Sequence, residues 1–451
     1  MSKSVPKSVR ISAAIASASL VAVTAGCGGG AKGSGGPVTL TYVMWADNQV
    51  PAYQRCADAF TKKNPNITIK ISSVAWPQYW QNLTTQVVSG TAPDVFRDSV
   101  AYFPQFAANN QLFDISDLVK RDNVDLGQYQ NGLAGMWVRD GKRYGLPLDW
   151  DTIGVFYNKD LVTKAGVNPA DFARWTWDPQ DGGSFEKAIA ALTVDDEGRK
   201  GTDPGFDKNH VKVYGIAPDY NTGALGQTSW AGLAVSNGFK YLDKNPFGSR
   251  YFYDDPKLAE TVDWFAGLIK KGYAPPYDKQ SALGGDAVLQ SGKAAMVMAG
   301  SWLSKTYLDS KTLKLAVAPL PVGPQRRKTP INGVSDAIYA GTKHKDEAWQ
   351  WVKFVASTAC QDLVADTTEV FPAITTSSDK ALVAHAAAGR DVEPFVDEAK
   401  DPGGTFLLPI TDNADKINEI MDNAISSVYL GKSDAKTALT AANTEVNALF
   451  K

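Results

Sequence analysis

The sequence predicts an α/β protein built as two lobes, and three observations predict it. A chain of 451 residues exceeds what one hydrophobic core supports, because cores stop growing near about 250–300 residues and longer chains divide. From residue 38 onward short apolar strands alternate with helical stripes, the order that lays helices on a sheet. No spare linker isolates one half of the chain from the other, so lobes that share strands or are crossed more than once fit the pattern.

Each element follows from its residues. Residues 38–45 read as a strand. Tyr53, Cys56, Ala57 and Phe60 fall at i, i+3, i+4 and i+7, the apolar stripe of a helix. Asn64-Pro65-Asn66 breaks that helix, and Ile67, Ile69 and Ile71 then alternate as a strand should. A second helix is expected over 78–89, closing on Gly90, with a short strand at 94–97. Leu258, Val262, Phe265 and Ile269 form a stripe that ends at Gly272. Small apolar strands follow at 294–298 and 315–318. Ala348, Val352 and Val355 mark one late helix, and Ile417, Ile420, Met421 and Ile425 another.

The N-terminus speaks to compartment. Lys3, Lys7 and Arg10 precede an uncharged run over 11–25, the makeup of a secretory signal and too short for a comfortable membrane span. Residues 1–26 are expected to be a signal peptide. Thr24-Ala25-Gly26-Cys27 resembles a bacterial lipobox, with Cys27 as the lipidated residue; an ordinary cleavage site beside an incidental Cys is the alternative. Residues 27–37, rich in Gly and Ser, would be the flexible leash. No other stretch approaches 18 uncharged apolar residues.

Charge and residue counts exclude other classes. Lys and Arg number 46 against 48 Asp and Glu, so no basic excess argues for nucleic acid. Three scattered histidines, His210, His344 and His385, do not make a metal site, and no metal or cofactor is expected. Cys56 and Cys360 could form a disulfide in an exported protein or stay two separate buried thiols. Spacing alone leaves both open.

Candidate chemistry is sparse. Gly333-Val334-Ser335-Asp336-Ala337 approaches a nucleophile elbow but has Ala where the final Gly belongs, and Asp366 and His385 follow in hydrolase order. Asp149-Trp150-Asp151 places two carboxylates on one face of an extended segment, roughly 6–7 Å apart, with the Trp on the other face. Such a pair suits glycoside hydrolysis, sugar binding without chemistry, since an ionised Asp accepts two hydroxyls, or two solvated turn acids.

The chain carries 12 Trp. Several rings stand beside predicted strand ends, where ligands of open α/β sheets bind: Trp45, Trp76 with Tyr79, Tyr102 with Phe103, Trp230 and Trp302. Trp45-Ala46-Asp47-Asn48 and Gly300-Ser301-Trp302 combine an aromatic plane with polar edge groups, the makeup a sugar's C–H face and hydroxyl rim require. For any single Trp, core packing is the competing reading. Trp264, Trp349 and Trp351 lie within helical stripes and read as core.

Seven segments carry a family resemblance. They are Ala59-Phe60-Thr61-Lys62-Lys63-Asn64-Pro65, Ser89-Gly90-Thr91-Ala92-Pro93-Asp94-Val95, Tyr144-Gly145-Leu146-Pro147, Tyr157-Asn158-Lys159-Asp160-Leu161, Thr176-Trp177-Asp178, Gly292-Lys293-Ala294-Ala295-Met296 and Gly300-Ser301-Trp302. In that order and spacing the chain resembles the family 1 extracellular solute-binding proteins, the substrate-capturing lipoproteins of carbohydrate ABC importers. The resemblance implies a periplasmic-binding-protein-like fold whose two lobes are joined by a hinge and close on a ligand in the interlobe cleft. It implies a first lobe of residues 38–150 plus 336–370 and a second of 151–335 plus 371–451. It puts Asp149, Trp150 and Asp151 in the cleft and Trp302, with Ser301, at a sugar-stacking position. Trp45 with Asp47 and Asn48, Trp76, Tyr102, and Asp98 with Ser99 match ligand-facing loops of the first lobe, and Trp230 and Asn332 match the second. Cys56 and Cys360 would then share one lobe. The implied function is a non-enzymatic, lipid-anchored monomer on the outer face of a bacterial membrane, which passes a carbohydrate to permease subunits. A secreted glycosidase using Asp149 and Asp151, or a binder of another small solute, are the competing expectations.

Overall fold

The computed structural model describes residues 36–451 except Asn131; the expected signal peptide, Cys27 and nearly all of the expected leash lie outside them. The strands are β1 (Val38–Met44), β2 (Ile67–Ser73), β3 (Val95–Ser99), β4 (Val138–Arg139), β5 (Lys142–Arg143), β6 (Pro147–Asp151) and β7 (Ile153–Asn158), then β8 (Val194–Asp195), β9 (Val211–Val213), β10 (Met296–Gly300), β11 (Leu315–Pro319), β12 (Thr329–Ile338), β13 (Phe371–Pro372) and β14 (Thr405–Leu407). Two sheets organise the site. The larger runs β13-β6-β12-β3-β1-β2, with β14 added to the start of β12, and the smaller runs β10-β7-β11.

The first half of the large sheet is parallel, because helices carry the chain back between strands. β1 pairs β2 from Val38↔Ile67 to Met44↔Ser73 and pairs β3 at Tyr42↔Val95. The helix Val50–Lys63 makes the first return, burying Tyr53, Cys56, Ala57 and Phe60 as the stripe requires. Removing a buried ring such as Phe60 costs about 3–5 kcal/mol in comparable cores. The helix Trp76–Ser89 makes the second and ends on Gly90 at φ +76°, a left-handed turn that favours glycine. The sheet is then completed by distant segments. β12 pairs antiparallel with β3 and β6, and β13 with β6.

The chain passes between sheets at two adjacent places. β6 and β7 are separated only by Thr152, whose carbonyl accepts from the Ser301 amide at 3.0 Å. Thr329 Oγ accepts from the Ile153 amide at 3.0 Å, tying the two crossings together. The second passage is the segment 320–328 between β11 and β12: Thr329–Ile331 pair with β14 and Asn332 with Asp151, so all of β12 belongs to the large sheet. The strand thus starts before residue 336, where the resemblance implies the return, and β13 extends the sheet beyond 370.

One core, around Tyr42, Tyr53, Phe60, Trp349 and Trp351, fills one face of the large sheet, and Cys56 and Cys360 are bonded there, 304 positions apart in sequence. A second core, around Trp177, Trp230, Trp264 and Phe265, belongs with the small sheet. A third, including Phe96, Phe156, Val297 and Phe371, draws on strands of both. Residues 333–337 lie inside β12 with Ser335 fully buried. A nucleophile elbow needs an exposed strand-to-helix turn, so no hydrolase site forms there.

Candidate functional site

A cleft of about 440 Å³ opens where the strand ends of the two sheets converge. β1 delivers Trp45, β3 delivers Ser99 and then Tyr102, β6 supplies Asp149 and Asp151, β10 leads into Ser301 and Trp302, and β12 supplies Asn332. The cleft therefore sits beyond the carboxyl ends of β1, β3 and β10, the usual place for ligands in such sheets.

One wall is aromatic. Trp45 meets Trp76 edge-on at 5.0 Å and Tyr79 at 5.2 Å, while Trp80 stacks on Tyr102 at 3.8 Å. Mutual packing fixes each ring, so the wall is ordered before anything binds. Trp76, 43% exposed, is the rim of the wall. On the other side the indole of Trp302 lies over Gly300, so close that a methyl there would meet its Cζ3 at 1.9 Å. Glycine is what lets the ring settle in that place.

The floor is charged and mostly dry. Asp149 and Asp151 are both buried, two residues apart on β6. Burial pushes Asp149 up to about 6, against the pull of the Arg97 guanidinium. Asp151 is raised further by burial and by its neighbour Asp149, while Gln227 Nε2 donates to it at 2.8 Å. Arg97, 1% exposed, donates to Gln49 Oε1 at 2.6 Å and lies 4.2 Å from the Tyr53 ring centroid. The remaining wall is hydrogen-bonding: Asp219 accepts from Thr228 Oγ at 2.7 Å, Asp286 accepts from the Tyr307 hydroxyl, and Asn418 accepts from the Ala224 amide at 3.1 Å. Ser301 Oγ and Asn332 Oδ1 are buried at the cleft with no partner among the described residues.

Most of the residues expected from sequence meet here. Trp45, Asn48, Trp76, Ser99, Tyr102, Asp149, Asp151, Ser301, Trp302 and Asn332 all line the cleft. Trp150 reaches its margin, but the indole turns away, stacked on Phe371 at 5.1 Å and donating to Ser378 at 3.1 Å. Three expected residues are elsewhere. Asp47 is exposed and receives the Ser73 hydroxyl. Asp98 cannot share a face with Ser99, because neighbours in a strand alternate; Arg97 and Ser99 face the cleft, and Asp98 is fully buried away from it. Trp230 is fully buried in the second core, 5.5 Å from Tyr241.

Sequence reasoning missed Gln49, Arg97, Asp219, Asn221, Thr222, Gln227, Thr228, Asp286 and Asn418. Five of these come from residues 219–228, which form no helix or strand. The density of hydroxyl, amide and carboxylate groups in that aperiodic stretch was the available signal.

The arrangement pairs flat apolar surfaces with a surplus of hydrogen-bond acceptors. It suits a small polyhydroxylated molecule whose C–H faces stack and whose hydroxyls donate. Comparison with known proteins agrees on fold and family. The diacetylchitobiose binding protein DasA of Streptomyces coelicolor is 24% identical over 454 residues, covering 95% of this chain and 96% of its own length. The arabinooligosaccharide-binding protein of Bacillus subtilis is 25% identical over 353 residues, 74% of this chain and 73% of that one. The ABC substrate-binding protein Lmo0181 of Listeria monocytogenes, solved in complex with cycloalternan, shares the two-lobed fold with a TM-score of 0.78 at 22% identity, covering 92% of this chain and 99% of its own. The profile of one family matches residues 46–362, most of the chain: the protein belongs to the bacterial extracellular solute-binding protein family.

Proposed function

We propose that the protein captures a saccharide outside the membrane and hands it to an ABC importer. The observation that carries this reading is the cleft itself, with rings on two sides, Trp45, Trp76 and Tyr102 against Trp302, and carboxylates at the edge. The names of relatives that bind arabinooligosaccharide and diacetylchitobiose support a sugar ligand. The volume admits more than one ring, since a hexose unit occupies on the order of 150–200 Å³ and pockets are filled to most of their volume.

Ligand bridging both walls favours a closed arrangement by as much as it binds that arrangement better than an open one. Thr152 and the segment 320–328, where the chain passes between the sheets, are the pivot in this reading. The lobes would follow the division expected from sequence, with the return moved to the start of β12. Lipidation at Cys27 would hold the protein at the membrane. Among the described residues no helix is long and apolar enough to cross one.

Titration calorimetry against mono- and oligosaccharides tests the proposal. One-to-one binding with the sugar recovered intact supports it. Steady turnover of the sugar, abolished in Asp149→Asn or Asp151→Asn, would replace it with a glycosidase.

A further inference from the structure

The charges lining the cleft are one-sided. Asp149, Asp151, Asp219 and Asp286 face a single cation, Arg97. That guanidinium is committed: it donates to Gln49 and, at 3.3 Å, to the Tyr42 hydroxyl, and it lies over Tyr53. The side-chain hydrogen-bond partners of Asp151, Asp219 and Asp286 are neutral: Gln227, Thr228 and Tyr307. Neutral donors satisfy lone pairs but bring no positive charge to offset an ionised carboxylate.

Two independent features point the same way. The unpartnered atoms at the cleft include Ser301 Oγ, in a residue 3% exposed, and Asn332 Oδ1, an acceptor with no donor. The aromatic wall presents π-faces, whose quadrupole also attracts positive charge. Acceptors, carboxylates and rings all favour a ligand that brings N–H donors and a positive charge. Among the described residues no group of three or more His, Cys, Asp or Glu is placed to hold a metal ion, which leaves an organic cation.

We propose, building on the saccharide reading above, that the preferred ligand is a basic amino sugar whose ammonium lies against Asp219 and Asp286. An ammonium donates three hydrogen bonds where a hydroxyl donates one, and it offsets charge that a hydroxyl leaves unpaired. Burial and the charge of Asp219 both raise Asp286, the condition a bound cation would relieve. Sugar phosphates and uronic acids meet the same field with the opposite sign.

The test uses matched pairs that differ only at one substituent, amine or hydroxyl: glucosamine and glucose, galactosamine and galactose, and chitosan and cellulose trisaccharides. Calorimetry at about pH 6 keeps the sugar amine protonated. In whichever pair binds, the amine is expected to bind at least about tenfold tighter. That preference should shrink with added salt and fall by about tenfold in Asp286→Asn and Asp219→Asn. Equal or tighter binding of the hydroxyl member overturns the inference and leaves the saccharide reading standing. If neither member of any pair binds, the amino-sugar inference is overturned, and the saccharide reading is decided by the wider range of sugars above.

Discussion

The two walls of the cleft were assembled by different means. The aromatic wall comes from residues 45–102, a run of strand ends and one helix start, and its rings hold one another at 3.8 to 5.2 Å. The opposing wall takes its polar groups from the irregular segment 219–228, from Asp286 and from Asn418 on the helix Ala414–Tyr429, with Trp302 as its one ring. One wall is a packed surface whose shape is independent of ligand. The other is a set of hydrogen-bonding groups, most of them already bonded to one another or to the protein around them. Shape and stacking belong to the first, discrimination among ligands to the second.

The largest expected effect comes from the lone ring of the polar wall. Trp302→Ala should weaken saccharide binding by about 30-fold or more, the scale of a buried aromatic anchor, with the thermal midpoint nearly unchanged. Trp76→Ala, at the exposed rim of a redundant wall, should cost only a few-fold; equal losses would erase the distinction between the walls. Asp151→Asn keeps shape but exchanges a buried acid for an amide, and calorimetry should show a loss of a few-fold, as for a buried hydrogen bond.

Gly300→Ala is subtler. It changes no other cleft residue but pushes a methyl into the Trp302 ring and displaces it, so affinity should drop several-fold. A variant that binds as the wild type does would show that the ring is not seated by that glycine.

pH should act in opposite directions on binding and stability. Asp149 titrates at about 6 and Asp336 at about 7, both raised by burial above their unfolded values. A raised carboxyl stabilises the fold most at low pH, and that contribution is lost as pH rises through the folded value. The ligand-free thermal midpoint should therefore fall between pH 5 and 8, while affinity, which needs ionised Asp149, rises a few-fold over the same range. Parallel trends would mean that Asp149 binds in its protonated form. The smallest effect on affinity, none, is expected for Cys56→Ser with Cys360→Ser. Closing a loop over 304 positions contributes about 6 kcal/mol in the chain-entropy account, and denaturant unfolding should register its loss.

This contrast also explains what was legible in the sequence. Trp45, Trp76 and Tyr102 could be found because periodic strands and helices frame them, and Ser301-Trp302 because β10 ends just before it. Asp149 and Asp151 announced a shared face by their spacing. Asp219 to Thr228 have no period to frame them, and their place is set by contacts with distant groups such as Asp151 and Asn418. Asp98 reads as a site acid where alternation selects Arg97 and Ser99. Trp230 reads as a site ring because a loop flanks it, yet it packs inward against Phe239 and Tyr241. The family segments imply two lobes, but a return at 336 falls inside β12, which starts at Thr329.

The strand order of the large sheet has a consequence for how the molecule comes into being. β12 lies between β6 and β3, in the interior of the sheet, yet it ends at Ile338. A ribosome makes β1, β2 and β3 first and must then add more than half of the chain before their neighbour exists. Until then β3 has an open edge, the kind of surface that invites pairing with the wrong strand. Most of the second core is synthesised in that interval, so one half of the protein can be packing while the other waits unfinished. High sequence separation of paired strands makes this closure slow. The sheet that holds the aromatic wall is thus begun first and completed late.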